Sequence, residues 1–553
     1  MTSSPLYPDA VADPRRRDYL PPRRILYATA GDLAPDNPER LLTAGERQAQ
    51  AEFQGPLCRL LPGAAILLDF GRELNGGVRL VTPASAGQVR TVRVRFGESA
   101  GEAMGTPNND HAIHDTRLDL PPMGATEIGN TGFRFVRLDV PADAPAPLEL
   151  AGVWAVALYR DLPYAGSFRC SDERLNQVWQ TGAYTVHLNM QDYIYDGIKR
   201  DRLVWLGDLH PEVRVITTVF DDTALVPASL DFVRDRTPLP QFMNGISSYS
   251  VWWVIIQHDW YWHRGDLDYL KAQRDYLLRL LRQLAGYVGA DGAETLPGGG
   301  FFDWPSNDNP VAIHAGMQAL LAWGFAAGER LCRWLGEEAA AQACAAAHGR
   351  LSAHRPEAGN SKQANAFLAL AGLADPGRVN REVLARDPFS GLSTFLGYYV
   401  LQARALAGDQ AGALEVIRRY WGGMLDRGAT TFWEDFDLAW LPGAGRIDAL
   451  PLPGQKDLHA DFGRYCYQGL RHSLCHGWAG GPTAWLSEQL LGAVPLAPGF
   501  AAARVQPQLF GLDWVQGTVP TPHGPLVVTA ERRGDGSVAR DVKVPSGVRL
   551  AEA

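Results

Sequence analysis

The spacing of hydrophobic and polar positions along the 553-residue chain changes twice. Up to about residue 165, short β-branched and aromatic runs such as AILLDFG, GVRLVTP, TVRVRFG and FRFVRLDV are separated by Gly, Pro and Asn turns, a pattern of short strands. Several strands at this spacing predict a β-sandwich over residues 1–165. A proline-rich connection from Pro141 to Leu150, PADAPAPLEL, precedes its last strand, GVWAVALY.

From Ser171 the period becomes helical. Ser171 is the predicted N-cap of DERLNQVWQTGAYTVHLNM, whose apolar residues recur at helical spacing. Amphipathic stretches follow around 251–263, 267–289, 312–335, 337–350, 361–372, 392–406, 410–421 and 482–491. Roughly a dozen helices, joined by loops rich in Gly, Pro, Asp and Trp, fit a toroid of paired helices over 166–494. After LGAVPLAPGF the runs ARVQPQL, DWVQGTVPT, GPLVVTAERR and ARDVKVP predict a short β-strand domain, 495–553, packed against the helical body.

Composition narrows the class of partner. Hydrophobic content of 46% and charged content of 20% describe a globular protein. A net charge of −9 and a pI near 5.8 argue against a nucleic-acid surface and suit a neutral small molecule. Cys58, Cys170, Cys332, Cys344, Cys466 and Cys475 form no C-x-x-C pair and read as reduced thiols, which predicts a cytoplasmic protein. The N-terminus has no apolar h-region, and no window reaches the roughly 18 apolar residues of a membrane span. Arg15, Arg16 and Arg17 are followed by polar, proline-rich sequence, unlike a twin-arginine signal. Sixteen tryptophans point toward a carbohydrate, because indole faces stack on sugar rings as well as filling cores. Nothing in the pattern sets the oligomeric state.

The densest chemistry lies in DGIKRDRLVWLGD, from Asp196 to Asp208. Its three aspartates, spaced by five and seven, do not share one helical stripe, so the segment reads as a loop running into a helix start. Its flanks read as buried, which puts the charges at the rim of a core, where carboxylates acquire shifted pKa values. The alternative is structural: Asp196 caps a helix, and Asp201 and Asp208 pair with Lys199, Arg200 and Arg202.

GRELNGGVRL followed by RVRFGES, the Asp196–Asp208 segment, FFDWP, TTFWEDF, SLCHGWAGGPTAWL and APGF…VQPQ together resemble the α-L-rhamnosidases of glycoside hydrolase family 78. The resemblance runs in family order from about residue 22 to 530. It implies a β-sandwich, an (α/α)6 barrel and a second β-sandwich, in a short member with little room for further carbohydrate-binding modules. By position, it implies that Asp196 binds ring hydroxyls, that Asp201 stands at the general acid's place, and that Asp208 binds substrate or orients the acid. The motif departs from the family at one point. Many members read Arg-Asp-Glu-Arg with Glu as the acid, whereas this chain reads Arg200-Asp201-Arg202 and is one residue shorter.

The resemblance implies that Glu434, in TTFWED, is the general base; the alternative is a surface acid beside Asp435 and Asp437. Asp303 and Trp304 in FFDWP match a hydroxyl-binding acid and a sugar-packing indole, or else a turn with a core tryptophan. His476 matches a substrate contact, or is a satisfied structural histidine. Arg200, Trp205, Trp253 and Trp433 complete the candidate binding set, although the spacing of Trp252, Trp253 and Trp260 on one aromatic helix is more often that of a core. His210 and Glu212 read as supporting residues.

The grouping His459, Asp461, His472 and His476 lacks zinc spacing, and GGG at 298–300 lacks the context of a phosphate loop, so no metal or cofactor is assigned. The family implies inversion, with an acid and a base roughly 6.5 to 9.5 Å apart on opposite sides of the glycosidic bond. A guanidinium touching Asp201 would keep it ionised and rule it out as the acid, so the orientation of Arg200 and Arg202 matters more than their presence. The competing expectations are a barrel enzyme for another sugar, and a carbohydrate-binding protein that has lost the acid.

Overall fold

A computed structural model describes residues 9, 11–45, 47–84, 89–105, 114–298, 300–465 and 467–551. Cys466 and most of the first ten residues lie outside these, as does the middle glycine of GGG. The other five cysteines are buried free thiols.

The N-terminal part is an antiparallel sheet in the order Arg15–Leu20, Gly152–Arg160, Ala65–Val81, Ala125–Asp139, Arg90–Gly97 and Asp115–Leu120, with Arg24–Ala28 also paired to Ala65–Val81. Register shifts between Asp69 and Leu74 and between Gly76 and Val78 interrupt the two long strands. Such irregularities bend a strand. The first half of Ala65–Val81 therefore pairs with Arg24–Ala28 and the second half with Gly152–Arg160, and side chains from both halves, including Ile66, Leu68, Val78 and Leu80, share one core. Gly76 makes the bend possible: its φ is 141°, and a Cβ there would lie 1.9 Å from the Val156 carbonyl oxygen. Arg15, Arg16 and Arg17 lie on the edge strand of this sheet.

The helical body begins at Glu173–Asn189. Its N-cap is Asp172 rather than Ser171, because the Asp172 carboxylate accepts from the amides of Arg174 and Leu175. The Ser171 hydroxyl is used elsewhere, accepting from the Asp513 amide at 2.9 Å. Helices Leu206–Val219, Leu225–Asp235, Ser247–Arg264, Leu267–Ala285, Pro310–Trp334, Glu338–Ala353, Lys362–Leu370, Gly397–Leu406, Gln410–Val416 and Gly481–Leu486 surround one large core. Pro310–Trp334 is long and apolar enough to cross a membrane by length and composition, contrary to the sequence reading, and 72% of its apolar window is buried inside the protein.

The C-terminal sheet runs Ser167–Cys170, Trp514–Val519, Leu526–Arg532, Val538–Lys543. Its first strand comes from before the helices, in register Ser167 to Thr518 through Cys170 to Val515. The strand Ser167–Cys170, inside the 166–494 segment, thus shares a sheet with strands of the 495–553 segment, and the helical segment leaves from that sheet and returns to it. Val515, Leu526, Val528 and Ala530 extend the helical core into that sheet.

Candidate active site

The loop from Asp196 to Trp205 is tied down at both ends. Asp196 accepts the Leu203 amide on Oδ1 at 2.9 Å, and its own carbonyl accepts the Gly477 amide at 2.8 Å. Between them, Asp201 and Arg202 both adopt φ of 54°, the left-handed region. This turn sends the two arginines in different directions. Arg202 bonds the backbone and side chain of Asn130 in the N-terminal sheet. Arg200 is buried, donates to the Arg471 carbonyl at 2.9 Å and to Glu434 Oε1 at 2.5 Å, and lies 3.4 Å from Asp201 Oδ2.

Glu434 is held on its other side by the Ser473 amide, 3.0 Å from Oε2. Its backbone runs strand-like beside residues 473–476, with Glu434 N bonded to Ser473 O and His476 N to Phe432 O. Successive side chains on such a segment point opposite ways. Glu434 therefore faces the cavity and Trp433 faces the core.

Asp208 enters from the first turn of Leu206–Val219. It accepts from the Tyr249 hydroxyl at 3.3 Å, and its Oδ2 is 3.1 Å from His476 Nε2. Burial raises Asp208 to about 8, and burial followed by the charge of Asp208 raises Asp196 well above the usual carboxylate range. His476 is lowered to about 4 by burial, which keeps it neutral near pH 7, and its Nδ1 stands 3.7 Å from Glu434 Oε1. The shifts of Asp208 and Asp196 favour the protonated forms of these two acids.

Asp196, Arg200, Asp201, Trp205, Asp208, Glu434 and His476 line one cavity of about 290 Å³, together with Trp304, Ile246, Tyr249, Phe301, Tyr467, Arg471 and Trp478. An adjoining cavity of about 720 Å³ shares Trp304, Glu434, Tyr467 and Trp478, and Asp303 opens into this larger space. Asp303 accepts from the Ser393 hydroxyl at 3.0 Å and is raised to about 8 by burial.

Two expected binding residues are in neither lining. Trp253 has no exposed surface, packs edge-on to Tyr276 at 5.4 Å and donates to the Leu230 carbonyl. Trp433 packs edge-on to Phe436 at 5.5 Å. Both are core residues. The sequence reading missed Tyr249, Tyr467, Arg471 and Trp478; Trp478 lies inside the quoted HGWAGG motif, whereas nothing in the pattern marks the others. His210 bonds Tyr399 and Asp259, away from the cavity.

The possible ligands that the fold gathers are not the grouping weighed, and set aside, in the sequence. Among the described residues Glu98, Glu102 and His459 offer ligand atoms within 4.8 Å of one another, and the Lys199 ammonium lies within 3.2 Å of all three. The two glutamates come from the N-terminal part, so spacing within the helical segment could not reveal them.

Residues 163–353 match the bacterial alpha-L-rhamnosidase 6 hairpin glycosidase domain, and residues 492–551 the bacterial alpha-L-rhamnosidase C-terminal domain. The chain resembles the α-L-rhamnosidases of glycoside hydrolase family 78. The alpha-L-rhamnosidase of Alteromonas sp. (strain LOR) is 24% identical over 523 residues, 85% of this chain and 54% of that protein. The chain thus spans about half the length of this curated relative. Among solved structures, the GH78 rhamnosidase of Bacillus sp. GL1 aligns with a TM-score of 0.73 at 22% identity, over 92% of this chain and 55% of the other. The rhamnosidase of Klebsiella oxytoca with rhamnose bound aligns with a TM-score of 0.65 at 19% identity, over 86% of this chain and 96% of the other. The rhamnosidase-like fold, a helical core with sheets at both ends, is shared with these proteins.

Proposed function

We propose that this protein is an exo-acting, inverting glycoside hydrolase that releases terminal α-L-rhamnose, with Glu434 as the base that activates water and Asp201 as the acid, in an (α/α)6 barrel. The observation that carries this reading is the single cavity into which Asp201, Glu434, Asp196 and Asp208 converge. The Arg200 guanidinium touches both carboxylates of the proposed pair, Asp201 through Nη1 and Glu434 through Nη2. The inverting part of the reading comes from the family resemblance, in which acid and base stand roughly 6.5 to 9.5 Å apart and leave room for water.

The size of the smaller cavity supports a terminal sugar, since it falls just below the roughly 300 to 1,000 Å³ of pockets for larger ligands. Its chemistry supports a 6-deoxy sugar. Asp196, Asp208 and His476 offer hydrogen bonds to hydroxyls, while Ile246, Phe301, Trp205 and Trp478 offer apolar wall to a methyl group. Two solved relatives, the rhamnosidases of Klebsiella oxytoca and Streptomyces avermitilis, hold bound rhamnose.

Asp201 is favoured as acid by position. Its side chain is 25% exposed, against 2% for Glu434 and 4% for Asp208, so it stands toward the open side from which the leaving group of an exo substrate departs. The Arg200 contact meets the condition that counts against Asp201 as acid, and this favours a second reading in which Asp208, raised to about 8 by burial, is the acid.

Leaving-group dependence separates the two. Loss of the acid slows aryl α-L-rhamnosides with poor leaving groups far more than activated ones, because only the former need protonation. Asp201→Asn shows that selective loss if the first reading holds, and Asp208→Asn if the second does. Absence of turnover of any α-L-rhamnoside by the unmodified protein overturns both, and tight rhamnose binding in its place marks a binding protein.

A further inference from the structure

The GRELNGG and RVRFGES motifs lie in the N-terminal sheet, and the mechanism above uses neither. Glu98, from the second motif, ends up behind the candidate base. Its Oε2 accepts the Leu474 amide at 2.6 Å, and its Oε1 lies 3.3 Å from the Ser473 hydroxyl. Ser473 is also the residue whose amide holds Glu434 Oε2. Lys199, next to Arg200 in the chain, sends its ammonium into the same place, 3.2 Å from Glu98 and 3.0 Å from Glu102.

That ammonium further donates to the carbonyls of Leu470 and His472 at 2.8 and 2.7 Å and meets His459 Nε2 at 3.2 Å. Lys199, Glu98, Glu102 and His459 are all almost fully buried. An ammonium has three protons, so these acceptors share them, and the ammonium stands where three ligand-type side chains would otherwise suit a cation. Burial raises Glu98 to about 7 against the opposing pull of Lys199, and burial keeps His459 neutral. Stranding one member of such a buried set costs more than the set contributes.

Two connections therefore converge on Glu434. One runs from Glu98 through Ser473 to Oε2, and the other from Lys199 through its neighbour Arg200 to Oε1. We infer that Lys199 and Glu98 are positioning residues for Glu434, a buried ammonium and carboxylate through which the N-terminal sheet fixes both loops that hold the base. This rests on reading Glu434 as the base.

The test uses the full chain with Lys199→Met and, separately, Glu98→Gln, which keeps an acceptor for Leu474. Crystal structures of the variants are expected to show Arg200 and Glu434 parted beyond hydrogen-bond range, about 3.2 Å. Turnover of an aryl α-L-rhamnoside is expected to fall about tenfold or more in kcat with little change in KM, and the acidic limb of the pH profile of kcat/KM to move. Retention of the Arg200–Glu434 contact and of the parental pH profile, with only thermal stability reduced, overturns the inference. If Lys199→Met does not fold, Glu98→Gln decides by the same two readouts. If the parent hydrolyses no rhamnoside, the reading of Glu434 as base fails, while the crystal structures still decide whether the pair holds that carboxylate in place.

Discussion

Arg200 Nη2 donates to Glu434 Oε1 at 2.5 Å, while the same guanidinium lies 3.4 Å from Asp201. One buried cation thus orients the candidate base and restrains the candidate acid. Lysine cannot reproduce this two-sided contact, because its charge is a point on a flexible stem. Arg200→Lys is expected to lower kcat on an aryl α-L-rhamnoside by about 10²-fold, the scale of a misplaced catalytic group. Steady-state kinetics checks this, and a wild-type kcat contradicts it.

The raised pKa of Asp208 predicts an unusual pH dependence of stability. A carboxyl raised from the ordinary value near 4 to about 8, as in Asp208, binds its proton more tightly folded than unfolded. Its contribution is present below about pH 4 and is lost as pH rises toward 8. Asp208→Asn removes one such group, so the fall in stability between these limits is expected to flatten by up to one proton's worth, ~1.4 kcal/mol per pH unit. Denaturation across pH 4 to 8 for parent and variant measures the difference. Identical slopes contradict the assignment.

Trp253 and Trp205 differ in what they touch. Trp253 fills the helical core, and Trp205 lines the small cavity. Trp253→Ala is expected to cost about 3–5 kcal/mol of stability through the cavity it leaves, with KM unchanged where the variant folds. Trp205→Ala is expected to raise KM with a smaller loss of stability. Denaturant titration and kinetics on both variants check the pair, and the reverse pattern contradicts it.

The contrast between these tryptophans shows where the sequence is legible. Changes of period located the strands, the helices and the return to strands, because burial of one face imposes that period locally. The motifs brought Asp196, Asp208, Glu434 and His476 to one cavity. What the pattern does not carry is direction set by distant partners. Asp201 and Arg202 turn on left-handed backbone, so Arg200 points inward and Arg202 outward. Trp433 and Glu434 take opposite sides because residues 473–476 run beside them. The strand Ser167–Cys170 belongs to a sheet completed more than 340 residues later, as its pairing with residues 515–518 records. Lys199 finds its carboxylates about 100 residues earlier, at Glu98 and Glu102. Each of these depends on tertiary pairing.

Inversion has its own observable. Water delivered by Glu434 to the face opposite the leaving group gives β-L-rhamnose as first product. Proton NMR during early hydrolysis is expected to show the β anomer appearing first, with the α anomer following by mutarotation. The α anomer appearing first contradicts the inverting assignment and points to a covalent intermediate.

The central claim is that Glu434 activates water for cleavage of an α-L-rhamnoside. The most direct measurement compares an aryl α-L-rhamnoside with the unmodified protein and with Glu434→Gln, which preserves side-chain shape and removes the basic carboxylate. The account predicts steady release of rhamnose by the first and a loss of roughly 10²–10⁴-fold in kcat by the second, the usual contribution of a general base. Turnover unchanged in Glu434→Gln, or none from the unmodified protein, contradicts it.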